Sequence, residues 1–392
     1  MLSFNSEKKN CMGCAACYSV CPKKCITMQQ DDEGFLYPTV DNLNCIDCGL
    51  CEKVCPSVSP KVENTYTQTA VAALSKDYKV WHRSTSGGAF SEICRQWSDN
   101  ETLIVGAAWN GLSVHHIGVI GFENISPLCK SKYMSSAIED TFISIKRHLI
   151  NGKKVIFCGC PCQVDGLRHF LRKDYENLLA IDLICHGQGS PLVFQESIKI
   201  LEKQLGEAII SYEFRAKRNI HETDHLALIK TQKNKHYIVN DPYIQLFLSQ
   251  DILRPSCGEN CRYRNINRPS DLTIADCKGL INIYPDLIGS KKNYSTIVSN
   301  TPKGEAVIIS LESSMEIRPC SLNDVIRYNP LFARQTWFSK NRDAFFLQFQ
   351  ENPRSAIIKN TQPFSYLNYT WKKRILGILP DEVIRVIYRI RK

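Results

Sequence analysis

Cys11, Cys14, Cys17 and Cys21, followed by Pro22, recur as Cys45, Cys48, Cys51 and Cys55, followed by Pro56. Both runs read C-x-x-C-x-x-C-x-x-x-C-P, and the second begins 34 residues after the first, which marks an internal duplication. Thiolates are the soft ligands that iron–sulfur clusters take. Three of them at two-residue intervals let one tight loop wrap three corners of a cuboidal cluster, and the fourth cysteine of each run ligates the other cluster. The spacing therefore assigns Cys11, Cys14, Cys17 and Cys55 to one 4Fe–4S cluster and Cys45, Cys48, Cys51 and Cys21 to a second. Gly13 and Gly49 are expected to relieve crowding where the backbone approaches the inorganic core. The competing reading is structural zinc, whose sites usually pair two C-x-x-C units across a longer gap; two complete eight-ligand runs weigh against it. Cys25 falls outside both runs and reads as a small core residue.

The bulk properties agree with an intracellular redox protein. Nineteen cysteines in a chain of cytosolic character point to metal or redox ligation, because disulfides are rare in a reducing compartment. Met1 to Asn10 is polar and does not read as a signal peptide. No apolar run approaches the roughly 18–20 residues a membrane span needs, so the expected location is cytoplasmic. A length of 392 residues predicts two or three units. The formal charge of +10 is unevenly spread: between Trp371 and Lys392, seven basic residues stand against Asp381 and Glu382. No RNA-recognition or zinc-finger spacing accompanies it, so no nucleic-acid partner is expected.

The elements that must position further chemistry follow a linker at 61–69. Ala70 to Leu74 reads as a strand, and Arg83-Ser84-Thr85-Ser86-Gly87-Gly88 leads into a helix whose Phe90, Ile93, Cys94 and Trp97 share one face. A Ser/Gly turn opening a helix presents N–H groups and a positive dipole end, suited to phosphate, although such turns also serve as plain caps. Cys94 reads as core. Leu103–Trp109, Lys154–Cys158 and Leu178–Ile184 read as strands, with helices over about 139–149 and after Cys162. This is a parallel βαβ pattern, in which ligands sit at the carboxyl ends of strands. Cys162 and Cys185 fall at such ends. The expected fold is an α+β ferredoxin-like N-terminal module followed by an α/β core with a mixed or parallel sheet. The boundaries are 1–60, the linker 61–69, a core at 70–345 and a helical basic tail at 346–392.

The ordered blocks of this core resemble the coenzyme F-420 hydrogenase/dehydrogenase beta-subunit family, which also includes 7-hydroxymethyl-chlorophyll a reductase. They are Ser84 to Phe90, Ser131-Lys132-Tyr133, Pro161-Cys162-Gln163 with Gly166-Leu167, Cys185-His186-Gly187, Phe214 to Lys217, Cys257 to Cys261, and Arg268 to Ile274. The resemblance covers about 70–332. It implies an FAD-containing core in which flavin exchanges electrons with an iron–sulfur cluster. Carried over by position, Ser86, Gly87, Gly88, Ser131 and Lys132 become candidate flavin contacts, and Lys132, Arg215 and Lys217 candidate holders of anionic flavin or substrate groups. Family members without an N-terminal module still bind a cluster, so Cys162, Cys185, Cys257 and Cys261 are expected to ligate a third. Three departures add thiols near that site: Cys158, Cys160 and Cys277. Lys291 to Ser295 replaces a segment usually rich in glycine.

The resemblance implies an iron–sulfur flavoprotein oxidoreductase. Electrons would run from a ferredoxin or another redox protein through the 4Fe–4S clusters to FAD and on to a small-molecule or glycan-precursor substrate. Clusters move single electrons, and a flavin joins them to two-electron chemistry. The alternative is an electron-transfer subunit without its own substrate, serving a partner oxidoreductase that uses coenzyme F-420. His186 is the candidate proton donor, with a hydrogen bond bracing the cluster loop as the plainer reading. In the tail, Ile375, Leu376, Leu379, Val383, Ile387 and Ile390 mix with basic residues around Pro380. That pattern suits either peripheral contact with the inner face of a membrane or a docked helix with a solvated face.

Overall fold

The computed structural model describes residues 7–59, 63, 65–217, 226–258, 261–288, 290, 292–334 and 338–366. The apolar and basic residues singled out in the tail, from Trp371 onward, lie outside these, as does Lys291.

Fourteen strands are described: β1 (Ile26–Gln30), β2 (Leu36–Val40), β3 (Thr69–Ser75), β4 (Leu103–Asn110), β5 (Ser113–Ile120), β6 (Val155–Gly159), β7 (Leu178–Leu183), β8 (Ile209–Glu213), β9 (Ala227–Thr231), β10 (Lys235–Val239), β11 (Leu272–Asp276), β12 (Ser295–Ser299), β13 (Met315–Cys320) and β14 (Ser365–Tyr366). Eight form one mixed sheet in the order β13-β3-β12-β11-β7-β6-β4-β5. Its centre, β11-β7-β6-β4, is parallel, and the pairs on either side are antiparallel. The central strands read as near-continuous apolar runs, such as Leu178 to Ile181, because both of their faces are covered. The antiparallel edge β5 alternates instead. The predicted strands and the helix expected over 139–149, found at Thr141–Ile150, are all present.

Where β6 and β7 end, the chain turns sharply under local control. Pro161 opens the helix Pro161–Leu171 at a position where a missing N–H costs nothing. The Gln163 side chain folds back to accept the Cys160 N–H at 2.8 Å. After β7, Ser190 caps the helix Pro191–Leu205 by accepting the Val193 N–H at 3.1 Å.

A second sheet, β14-β10-β9-β8, is antiparallel throughout. Against it pack the aromatic rings of Trp109, Tyr133, Phe194, Tyr212, Phe214 and Tyr243. Phe345, Phe346, Phe349, Ala356 and Ile357, from the helices Arg342–Glu351 and Pro353–Lys359, are buried in the same core.

The N-terminal module, with the hairpin β1-β2, has a small cluster of its own around Cys25 and Ile26 and otherwise shares its apolar packing with the core. Cys14, Ala15, Ala16 and Val54 share an apolar cluster with Phe157, Val164 and Leu167. Cys11, Phe35 and Tyr37 share another with Val193 and Phe194. Polar contacts fix the seam as well. Ser190 Oγ donates to the Glu33 carbonyl at 2.5 Å, and the Glu33 carboxylate takes both Nη atoms of the buried Arg342, one of them at 3.1 Å.

Candidate functional site

The two cysteine runs segregate into an inner and an outer set. Cys11, Cys14 and Cys55 are buried and Cys17 half-buried. Burial pushes the Cys14 thiol up to about 12, and neighbouring Cys55 and Cys11 add to the rise. Burial also raises Cys17, with Cys14, Cys11 and Cys55 contributing, and raises Cys55, with Cys11 contributing. Four mutually repelling thiolates become tolerable once iron supplies positive charge, since a coordinating thiol deprotonates outright. The inner set is the one the spacing assigned to the first cluster. In the outer set Cys48 is exposed, and Cys21, Cys45 and Cys51 are half-buried. Burial raises Cys51, and Cys48 and Cys45 contribute.

Cys25 is buried, as expected of a core residue, but the cluster it packs in is made largely of thiols: Cys17, Cys21, Cys45 and Cys51. Its Sγ lies 3.4 Å from Cys21 Sγ. The two glycines also divide. Gly49 needs only its left-handed φ of +67°, whereas a Cβ on Gly13 would stand 2.7 Å from Arg254 Nη1. Gly13 therefore makes room for a core side chain.

Beyond the seam, Cys162, Cys185, Cys257 and Cys261 line one cavity together with Met12, His186, Gln188 and Arg264. The ends of β6 and β7 deliver the first two, and Cys257 and Cys261 join them from further along the chain. Burial pushes Cys257 up to about 12, with Cys261 and Cys185 adding. Gln188 directs its backbone N–H to Cys257 Sγ and its side-chain Nε2 to Cys162 Sγ, each at 3.3 Å. Arg264 is buried and gives Nη2 to the His186 carbonyl at 3.0 Å. Its Nη1 is a buried donor with no partner among the described residues. Four thiols around a cavity with an unanswered guanidinium N–H fit an anionic cluster. Among the described residues, no three Cys, His, Asp or Glu side chains sit close enough to hold a single metal ion.

Of the three additional thiols, Cys160 stands beside this set, its Sγ 3.6 Å from Cys185 Sγ. Cys158 packs with Ile104, Ile156 and Cys129 on the central sheet. Cys277 packs with Trp81 and Tyr294. His186 Nε2 donates to the Phe247 carbonyl at 3.0 Å, and its ring lies 4.9 Å from that of Phe247.

Of the residues expected around flavin, Ser131 and Lys217 reach the turn of Ser86, Gly87 and Gly88, whereas Arg215 and Lys132 make their contacts elsewhere. Thr85 Oγ1 accepts the Ser131 N–H at 3.1 Å, joining two loops. Lys217 Nζ donates to the carbonyls of Ser86 and Trp81 at 3.1 and 3.0 Å and lies 4.8 Å above the Trp81 ring. Arg215 Nη1 pairs with Asp276 Oδ2 at 2.6 Å and reaches the Tyr133 hydroxyl at 3.4 Å. Lys132 Nζ turns back to the carbonyls of Cys129 and Pro127, at 2.6 and 3.1 Å. Burial pulls Lys132 and Lys217 down to about 8 each, and the Arg215 charge adds to the effect on Lys217. Two ammonium groups answered by backbone carbonyls fit an anionic guest.

The turn itself is less open than a free phosphate cradle. Gly87 N–H donates to Ser295 Oγ at 2.9 Å, and Ser86 Oγ to the Tyr294 carbonyl at 2.8 Å. A Cβ on Gly87 would collide with the Ala73 carbonyl. Its glycine is therefore required by packing against β3 and β12. Gly88 precedes the helix Ala89–Trp97 with φ of +94°.

Gln188, Arg254 and Arg264 have no motif in the sequence that marks them for this site: the two arginines stand in a basic stretch with Arg262 and Arg268, and Gln188 has only its nearness to Cys185.

Residues 152–324 match the model of the C-terminal part of the beta subunit of coenzyme F420 hydrogenase/dehydrogenase, and residues 10–58 match that of the 4Fe–4S dicluster domain. A solved structure, the xenon derivatization of the F420-reducing NiFe hydrogenase complex from Methanosarcina barkeri, contains a similar chain. It is 15% identical with a TM-score of 0.46, over 78% of this chain and 98% of that one. No curated protein matches the chain.

Proposed function

We propose that the chain, whose residues 152–324 match the C-terminal part of the coenzyme F420 hydrogenase/dehydrogenase beta subunit and whose residues 10–58 match a 4Fe–4S dicluster domain, is an iron–sulfur flavoprotein oxidoreductase. In this reading an outside redox protein, such as a ferredoxin, delivers electrons that leave for a small-molecule or glycan-precursor substrate. The observation that carries the reading is the order of the thiol sets. Exposed Cys48 belongs to the outer set, and buried Cys14 to the inner set. Cys14 packs on Gly166, one turn along the helix that starts beside Cys162. A redox partner thus has access at one end, and solvent is excluded at the other.

Cys162, Cys185, Cys257 and Cys261 would hold the third cluster, with Gln188 donating to the Cys162 and Cys257 thiolates and Arg264 supplying positive charge to the cavity wall. FAD, when bound, would supply the exchange between one- and two-electron chemistry. Lys132 and Lys217 would neutralise its diphosphate, and Arg215, held by Asp276, would orient at the same face. Ser131 reaches that face from the neighbouring loop. His186 braces the loop of Cys185 through the Phe247 carbonyl, and the plainer of its two roles accounts for this geometry.

A second reading is favoured by the family match itself, which is to a beta subunit. This protein would then serve a partner oxidoreductase, coenzyme F-420 being a candidate acceptor there. Anaerobic purification with iron, sulfide and flavin quantification tests the shared part. About twelve irons and one FAD per chain are expected, at four irons per cluster. About eight irons and no flavin would leave only the dicluster relay. Turnover of an organic acceptor by the purified chain alone separates the two readings.

A further inference from the structure

Arg254 is fully buried, one of the largest side chains of the protein to be so. Its guanidinium lies in the seam between the N-terminal module and the core. Nε donates to the Cys11 carbonyl at 2.8 Å, and Nη2 to the Leu36 carbonyl at 2.9 Å. Nη2 also reaches Cys11 Sγ at 3.6 Å. The plane stacks 4.2 Å from the Tyr37 ring. No carboxylate pairs with it among the described residues; the ionisable groups that bear on it most are Cys11, Tyr37 and Cys257. Its backbone is tied as firmly, with N–H donating to the Gln188 carbonyl at 2.8 Å and the Arg254 carbonyl accepting from Cys257 at 2.9 Å.

A guanidinium stays protonated at any physiological pH. Enclosing one without a counter-ion is strongly unfavourable. Arginine is found here nevertheless, and Gly13 has no Cβ where one would collide with it. A cubane held by four thiolates is anionic, and gains a further negative charge on taking an electron. Of the groups the cysteine spacing places near Arg254, this is the one that answers its charge. N–H···S hydrogen bonds and local positive charge raise the potential of such a cluster.

We infer that Arg254 is the built-in counter-charge of the inner cluster, supplied by the core, that holds this cluster's potential above that of the outer one. It acts through Cys11 as a positioning residue. One electron added to the inner cluster is matched by a charge already present, so no proton accompanies it. The more solvent-exposed outer set has no equivalent core arginine among the described residues. The consequence is directional: electrons received at the surface settle at the seam, beside Cys162, and only where the module is docked.

The inference rests on Cys11 ligating the inner cluster, and the experiment separates the two. Full-length chain is prepared anaerobically with arginine labelled by 15N in the guanidinium group, reduced, and examined by pulsed EPR. A 15N coupling on one of the two dicluster signals is expected, lost in Arg254→Lys and Arg254→Gln. In EPR-monitored redox titrations of Arg254→Gln, one dicluster potential should fall while the other stays at the wild-type value. Iron-loaded wild-type chain without any arginine 15N coupling on the dicluster signals overturns the inference, whether or not the variants fold. So does Arg254→Gln with full iron and unshifted potentials. A wild-type chain lacking dicluster iron overturns the ligand assignment instead.

Discussion

Cys14 and Gly166 touch so closely that a Cβ on Gly166 would lie 2.7 Å from Cys14 Cβ and 2.9 Å from its sulfur. The contact joins the first cysteine loop to the helix beginning beside Cys162, with the Cys14 side chain set directly on the helix backbone.

Gly166→Ala should therefore push the inner set away from the core. Overpacking of this kind costs about 1–3 kcal/mol. The irons should be retained, because no ligand changes. The rate at which electrons given to the dicluster reach the core chromophore, followed by anaerobic stopped flow, should fall. An unchanged rate would mean that transfer does not cross this contact.

Cys21 and Cys25 offer two thiols 3.4 Å apart for one corner of the outer cluster. Cys25→Ala should keep the full iron content, and Cys21→Ala should lose about four irons per chain, one cluster's complement. Retention of iron in Cys21→Ala, with loss in the double variant, would transfer the ligand role to Cys25.

Lys132 and Lys217 should govern flavin retention. Replacing either with Met should weaken FAD binding about tenfold or more, the worth of one charge-assisted hydrogen bond. Burial holds both near 8, so the free chain loses these charges as pH rises through that value. FAD affinity measured by fluorescence quenching should accordingly decline above about pH 8 in the wild type. In the double Met variant, the affinity should be low and flat with pH.

His116 gives stability a pH dependence of its own. Burial depresses its pKa from 6.5 to about 4, with the ring stacked 5.5 Å from that of Phe157 and Nδ1 2.7 Å from Ser136 Oγ. The unfolded chain takes up a proton below about 6.5 and the folded chain does not until about 4. Stability should thus be full above 6.5 and decline as pH falls to 4, by about 3 kcal/mol at most. Anaerobic denaturant titrations across that window should show the slope, and His116→Asn should remove that share of it.

The C-x-x-C spacing by itself marked the eight N-terminal thiols as a dicluster pattern, because those thiols are close in the chain and the loop geometry is local. Apolar runs such as Leu178 to Ile181 were equally sufficient for the parallel strands, since burial on both faces leaves a mark that needs no partner to be read. The gathering of Cys162, Cys185, Cys257 and Cys261 came from a resemblance, and their shared cavity exists only because the ends of β6 and β7 are set beside Cys257 and Cys261. The glycine turn shows the same limit. Its residue types suggested open N–H groups, while the neighbouring β12, far away in sequence, occupies the Gly87 donor through Ser295. Arg254 belongs wholly to the tertiary structure. Nothing in its neighbourhood of the chain announces a partner, because Cys11 lies 243 residues away. Local spacing determines which atoms can hold a cluster; long-range packing decides what charge each cluster feels and which of them faces the core.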